Sequence, residues 1–77
     1  MTLKIISAED ILFQGEVDAV TLPGSKGSFT VLNHHASLIS TLTPGKIAYE
    51  QQGDWHDVAI SGGLVDVDNN VVSVCIY

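Results

Sequence analysis

The 77-residue sequence predicts an all-β fold, a two-sheet β-sandwich of about ten short strands forming one domain over residues 1–77. Three observations carry this. Apolar and polar residues alternate with a period of two through most segments. Glycine, proline, asparagine and aspartate punctuate the chain at roughly five- to ten-residue intervals. Apolar residues nowhere recur at helical spacing over the roughly 10 to 12 positions a helix needs.

Leu3-Lys4-Ile5-Ile6-Ser7 opens as a strand, and Ile11-Leu12-Phe13 follows the polar step Ala8-Glu9-Asp10. Glu16-Val17-Asp18-Ala19-Val20 begins in strict alternation, which predicts one strand with Val17 and Ala19 on one face and both carboxylates on the other. Pro23-Gly24-Ser25-Lys26-Gly27 is turn material, because glycine permits positive φ and proline donates no ladder hydrogen bond. Phe29-Thr30-Val31-Leu32 is a short strand, Asn33-His34-His35-Ala36-Ser37 a loop, and Leu38-Ile39-Ser40-Thr41-Leu42 returns to the sheet. Thr43-Pro44-Gly45 turns a corner into Lys46–Gln51, and Gln52-Gly53-Asp54 forms a hairpin into Trp55–Ile60. Gly62-Gly63 marks a bulge or a close backbone approach. Leu64–Asp68 and Val71–Ile76 make a last hairpin about Asn69-Asn70, residues that tolerate left-handed geometry.

The charge balance is acidic: three lysines (Lys4, Lys26, Lys46), no arginine and nine carboxylates give a net charge of −6. A nucleic-acid or anionic-membrane surface requires clustered cations, so neither is an expected partner. Cys75 is the only cysteine, so no disulfide staples this small core. The start of the chain lacks the apolar stretch of a secretion signal, and no apolar run approaches the roughly 20 residues of a membrane helix. Attachment to a membrane is therefore expected only through other proteins.

Candidate chemical motifs fail on spacing. His34 and His35 are adjacent, so an extended backbone points them to opposite faces, and His56 is the only other histidine. Asp66-Val67-Asp68-Asn69-Asn70 starts like a calcium loop but lacks its sixth-position glycine and twelfth-position glutamate. Gly24-Ser25-Lys26-Gly27-Ser28 lacks the order of a phosphate loop, and Ser61 lacks the Gly-x-Ser-x-Gly context of a hydrolase. No catalytic, cofactor or metal site is expected, and an interaction module is.

Four segments, in order, carry a resemblance. They are Ile5-Ile6-Ser7-Ala8-Glu9-Asp10-Ile11-Leu12-Phe13-Gln14-Gly15, then Val20-Thr21-Leu22-Pro23-Gly24-Ser25-Lys26-Gly27. Next come His35-Ala36-Ser37-Leu38-Ile39 with Leu42-Thr43-Pro44-Gly45, and Ala59–Val67 with Asn70–Val74. Together they resemble the N-terminal domain of the ATP synthase epsilon subunit (delta in mitochondria), whose third segment reads Gly-His-Ala-Pro-Leu and then Leu-x-Pro-Gly. Ser28, Thr30, Asn33, His34 and Ser37 depart from the Glu, Gly, Pro, Gly and Pro of the bacterial members compared.

The resemblance implies a sandwich of two five-stranded sheets that is a non-catalytic rotor part, without a cofactor, of a proton-driven rotary ATP synthase. Its implied partners are the gamma subunit, through Ser7, His35, Ser40 and Thr41, and the membrane rotor ring, through Ser25, Lys26, Ser28 and Phe29. With Ser28 in place of a glutamate, the ring contact is expected to lose a charge. The implied location is the cytoplasmic face of a bacterial inner membrane, held there by the complex. The family usually continues into a helical hairpin that brakes ATP hydrolysis. A short form ending at Tyr77 is expected to couple rotation without braking it and to bind no nucleotide. The alternative is a stand-alone carbohydrate- or peptide-binding sandwich with Trp55, Tyr49 and Tyr77 as platforms.

Overall fold

A computed structural model describes all 77 residues and contains only β-strands, nine in number. They are β1 Thr2–Ile6, β2 Ile11–Glu16, β3 Ala19–Gly24, β4 Gly27–Leu32, β5 Leu38–Leu42, β6 Gly45–Gln51, β7 Asp54–Ile60, β8 Gly63–Asp68 and β9 Val71–Ile76. Hydrogen bonding runs in the order β2-β1-β9-β8-β5-β3-β6-β7, with β4 on the free side of β3. The β5–β3 link is a single pair, Gly24 with Leu42. At that hinge the sheet folds over into two layers, β2-β1-β9-β8-β5 and β4-β3-β6-β7. β1 and β9 pair in parallel, and every other pairing is antiparallel.

The core forms because the inward residues of both layers meet. Leu3, Ile5, Val65, Val67, Val72 and Val74 come from one layer, and Val20, Leu22, Val31, Ile47, Tyr49 and Ile60 from the other. Aliphatic β-branched residues suit this role, since they pack well on a pleated surface. Two hairpins turn through residues in the left-handed region: Gln52 and Gly53 at φ 51° and 86°, Asn69 and Asn70 at φ 49° and 61°. Positive φ at both central residues gives the twist that two-residue hairpins prefer. At Gly63 the expected close approach is present: an added Cβ would fall inside contact distance of the Cys75 carbonyl oxygen.

Three expectations are corrected. The strand read from Glu16 to Val20 is two strands, broken at Val17-Asp18, where the chain crosses from one layer to the other. Val17 N–H donates to Met1 O and Asp18 N–H to Glu50 O, both at 2.8 Å, and these anchor the crossing. The alternation was real, with Val17 and Ala19 buried and both acids exposed, but it spans a change of sheet. The layers hold five and four strands rather than five and five. Finally, the β3–β4 turn is only Ser25-Lys26, because Pro23 pairs with Ser28 and Gly24 with Gly27 inside the ladder. Proline is tolerated there because β3 stops pairing with β6 at Thr21 and meets β5 only at Gly24.

Candidate functional site

In an extended chain, only one of two adjacent apolar residues can enter the core. Ile5-Ile6, Leu64-Val65 and Val71-Val72 are such pairs, and Ile5, Val65 and Val72 go inward with 0% exposure. Their neighbours stand on the outer face of the five-stranded layer. There Thr41, Leu64, Cys75, Ile6 and Ile11 fall in register across β5, β8, β9, β1 and β2. The next row is Ile39, Asp66, Ser73, Lys4 and Gln14. Ile39 is 71% exposed, Ile11 58% and Leu64 46%. A sheet face that presents large aliphatic side chains to water from three strands has the character of a docking surface. Sequence reading missed Ile39, Leu64 and Ile11 as site residues, although the adjacent apolar pair at Leu64-Val65 was a visible signal.

Ser40 and Thr41 lie on opposite faces of β5. Thr41 belongs to the outer apolar row, whereas Ser40 pairs with Val65 and shares its inward face, half-buried, its hydroxyl donating to Thr41 O at 3.0 Å. Ser7 follows β1 just beyond Ile6, at the Thr41 end of the layer. His35 lies at the far end, in the β4–β5 loop, with its Nδ1 2.7 Å from Ala36 O. Next to it, His34 N–H donates to Asn70 Oδ1 at 2.8 Å. The four residues expected to meet the gamma subunit therefore do not form one patch.

The four expected at the ring do share one tip, the turn between β3 and β4. Ser25, Lys26 and Ser28 are exposed, and Phe29 is half-buried against the core. This tip sits beside the Thr41 end of β5, and the Asn69-Asn70 turn occupies the opposite end of the sandwich. The three aromatic platforms are not brought together. Tyr49 is buried, its ring centroid 4.4 Å from that of Phe13 and 5.5 Å from the His56 ring. Trp55 is exposed across from Glu50, near the start of β7, while Tyr77 lies by Gly62 at the other end.

No group of three or more His, Cys, Asp or Glu side chains is placed to hold a metal ion. Two shallow hollows lie at the His34 end. One is lined by His34, His35, Ala36, Ser37, Asn69 and Asn70, and the other includes Ile39, Asp66 and Asp68. A hydrogen bond from the Thr2 hydroxyl holds the Glu16 carboxyl below its usual value; desolvation opposes this, and the Met1 amino group at 3.6 Å adds to it.

The family described as "ATP synthase, Delta/Epsilon chain, beta-sandwich domain" matches residues 1–76. The ATP synthase epsilon chain of Nitratiruptor sp. is 44% identical over 71 residues, covering 91% of this chain and 55% of that one. That of Leptospira borgpetersenii is 36% identical over 74 residues, covering 96% and 58%. The chain thus spans a little over half the length of these curated relatives. Among solved structures, a chain of the Euglena gracilis mitochondrial ATP synthase, imaged in an assembly with its c-ring, superposes with a TM-score of 0.90 at 27% identity. The match covers 96% of this chain and 48% of that one. A chain from the central stalk and c-ring of the Tetrahymena thermophila enzyme shares the fold, with a TM-score of 0.82 at 15% identity over 97% of this chain and 61% of that one. With the family pattern running over 76 of its 77 residues and the same sandwich in its relatives, the chain belongs to the ATP synthase delta/epsilon family, as that family's β-sandwich domain.

Proposed function

We propose that this domain is a non-catalytic part of the rotor of a proton-driven ATP synthase. It joins the gamma subunit to the membrane ring and lies at the cytoplasmic face of a bacterial inner membrane. The observation that carries this is the outer face of β2-β1-β9-β8-β5, on which Ile39, Leu64 and Ile11 stand exposed in a member of this family. That face, with Thr41 in its apolar row and Ser7 at its rim, docks on gamma. The tip Ser25–Phe29 meets the ring through Lys26, Ser28 and backbone polar groups. Rotation transmits torque only through a body that resists shear between its two contacts. A sandwich with interdigitated aliphatic layers provides that stiffness.

The test is titration of gamma with the Ile39→Asp variant. An unpaired charge in a desolvated contact costs on the order of 2–5 kcal/mol, so affinity should fall at least about 30-fold. Unchanged affinity would remove this face from the interface. A charge at Ser40 is a poorer probe, because its inward side chain would disturb the core as well. At the tip, Ser28→Cys should crosslink to a cysteine in the polar loop of the ring, and Asn69→Cys, at the opposite end, should not. The reverse pattern would turn the domain upside down.

A further inference from the structure

Ser25 and Thr41 were expected at different interfaces, one at the ring and one at gamma, yet they are bonded to each other. Their hydroxyl oxygens are 2.6 Å apart, and Ser25 N–H donates to Thr41 O at 3.0 Å. Two further bonds follow on the next alternate residues: Thr43 N–H donates to Pro23 O at 2.8 Å, and the Thr43 hydroxyl to the same oxygen at 3.2 Å. Between them lies the Gly24–Leu42 pair, the only strand pairing that joins the two layers. Gly24 also keeps β4 close, since an added Cβ would stand 2.7 Å from Gly27 O and 2.8 Å from the Phe29 ring, both on β4.

β4 pairs with β3 alone, so without these bonds the β3–β4 tip would be the end of a two-stranded ribbon. Isolated ribbons of two strands are weakly held and twist freely. The bonds to β5 convert the tip into part of the ladder. From β5 that ladder continues through β8, β9, β1 and β2, the layer whose outer face carries the exposed apolar residues.

We propose that Ser25, Thr41 and Thr43 are positioning residues that lock the β3–β4 tip onto β5, so that load taken at the tip enters the docking layer through hydrogen bonds. The alternative route, shear across the side-chain core, is bypassed. This rests on the rotor function proposed above. It assigns Ser25 and Thr41 to one shared contact in place of two separate ones.

The experiment is a double-mutant cycle with Ser25→Ala and Thr41→Val, read in two ways. Amide exchange over residues 24–29 of the chain by itself should accelerate about fivefold in either single variant, the change one lost hydrogen bond brings. It should accelerate no further in the double variant. In the assembled ATP synthase, each single variant should slow proton-driven synthesis by about twofold or more, with the double variant no slower, because both remove the same bond. Thr41→Ser, which keeps the hydroxyl, should restore both readouts. Multiplicative slowing in the double variant would mean two independent contacts and overturn the proposal. So would synthesis at the parent rate in all variants, or unchanged exchange at the tip. Failure of the rotor function itself is seen separately, as gamma affinity that survives Ile39→Asp, and leaves the exchange measurement decisive for the lock.

Discussion

Replacing Gly63 by alanine pushes a methyl group into the backbone of the neighbouring strand. The new Cβ would fall inside contact distance of the Cys75 carbonyl oxygen and 3.2 Å from both Cys75 C and Ile76 Cα. None of these atoms belongs to a flexible side-chain end, so relief requires β8 and β9 to separate where Gly63 pairs with Ile76. Overpacking costs about 1–3 kcal/mol, and a clash with backbone belongs at the upper end, about 3 kcal/mol. A 77-residue domain has roughly 4–11 kcal/mol of stability in total. Each kcal/mol lowers the melting temperature of a domain this size by about 4–8 °C, so a fall of roughly 12–24 °C is expected. Thermal unfolding followed by far-ultraviolet circular dichroism measures it. Gly53→Ala is the control: φ is 86° but nothing lies within 4 Å, so only the left-handed strain of about 1–2 kcal/mol remains. A Gly63→Ala variant melting within about 3 °C of the parent, or above Gly53→Ala, would refute the argument from strand separation.

Leu3 is fully buried between the layers, so Leu3→Ala should lower stability by about 2–5 kcal/mol, read as a lower urea midpoint at unchanged slope. The Thr2 hydroxyl holds the Glu16 pKa below its ordinary value, so its contribution is present above the unfolded pKa and lost as pH falls through the folded one. Thr2→Val should move the Glu16 carboxyl back up towards the ordinary value in an NMR titration and shrink that acid-side loss; an unmoved titration would dismiss the hydroxyl as the cause. Trp55 is the only tryptophan, 54% exposed on the layer away from Ile39, so its emission and acrylamide quenching should stay solvent-like when gamma docks. A blue shift on complex formation would place gamma on the wrong layer.

Local chemistry alone determined much of this protein. Period-two alternation located the strands, since each pleat must turn one side chain in and the next out. Gln52-Gly53 and Asn69-Asn70 announced their hairpins, because few residues accept positive φ. The segments around His35-Ala36-Ser37-Leu38 and Leu42-Thr43-Pro44-Gly45 were enough to expect the family, and the acidic balance with three scattered lysines argued against nucleic acid.

Alternation states which residues share a face, but not which strand lies beside which, nor whether a face meets the other layer or a partner. Val17 and Ala19 obeyed one pattern across a break between two sheets, because the core receives side chains from both layers alike. Ser40 and Thr41 were expected at one interface from the family resemblance, although neighbouring residues of a strand face opposite ways. Ile11, Ile39 and Leu64 became one surface only when β2, β5 and β8 were set in register across β1 and β9. Ser25 and Thr41, sixteen positions apart, met only because the sheet folds over at Gly24 and Leu42. Strand order and register come from many weak long-range contacts summed over the whole core, and no short stretch of sequence contains that sum.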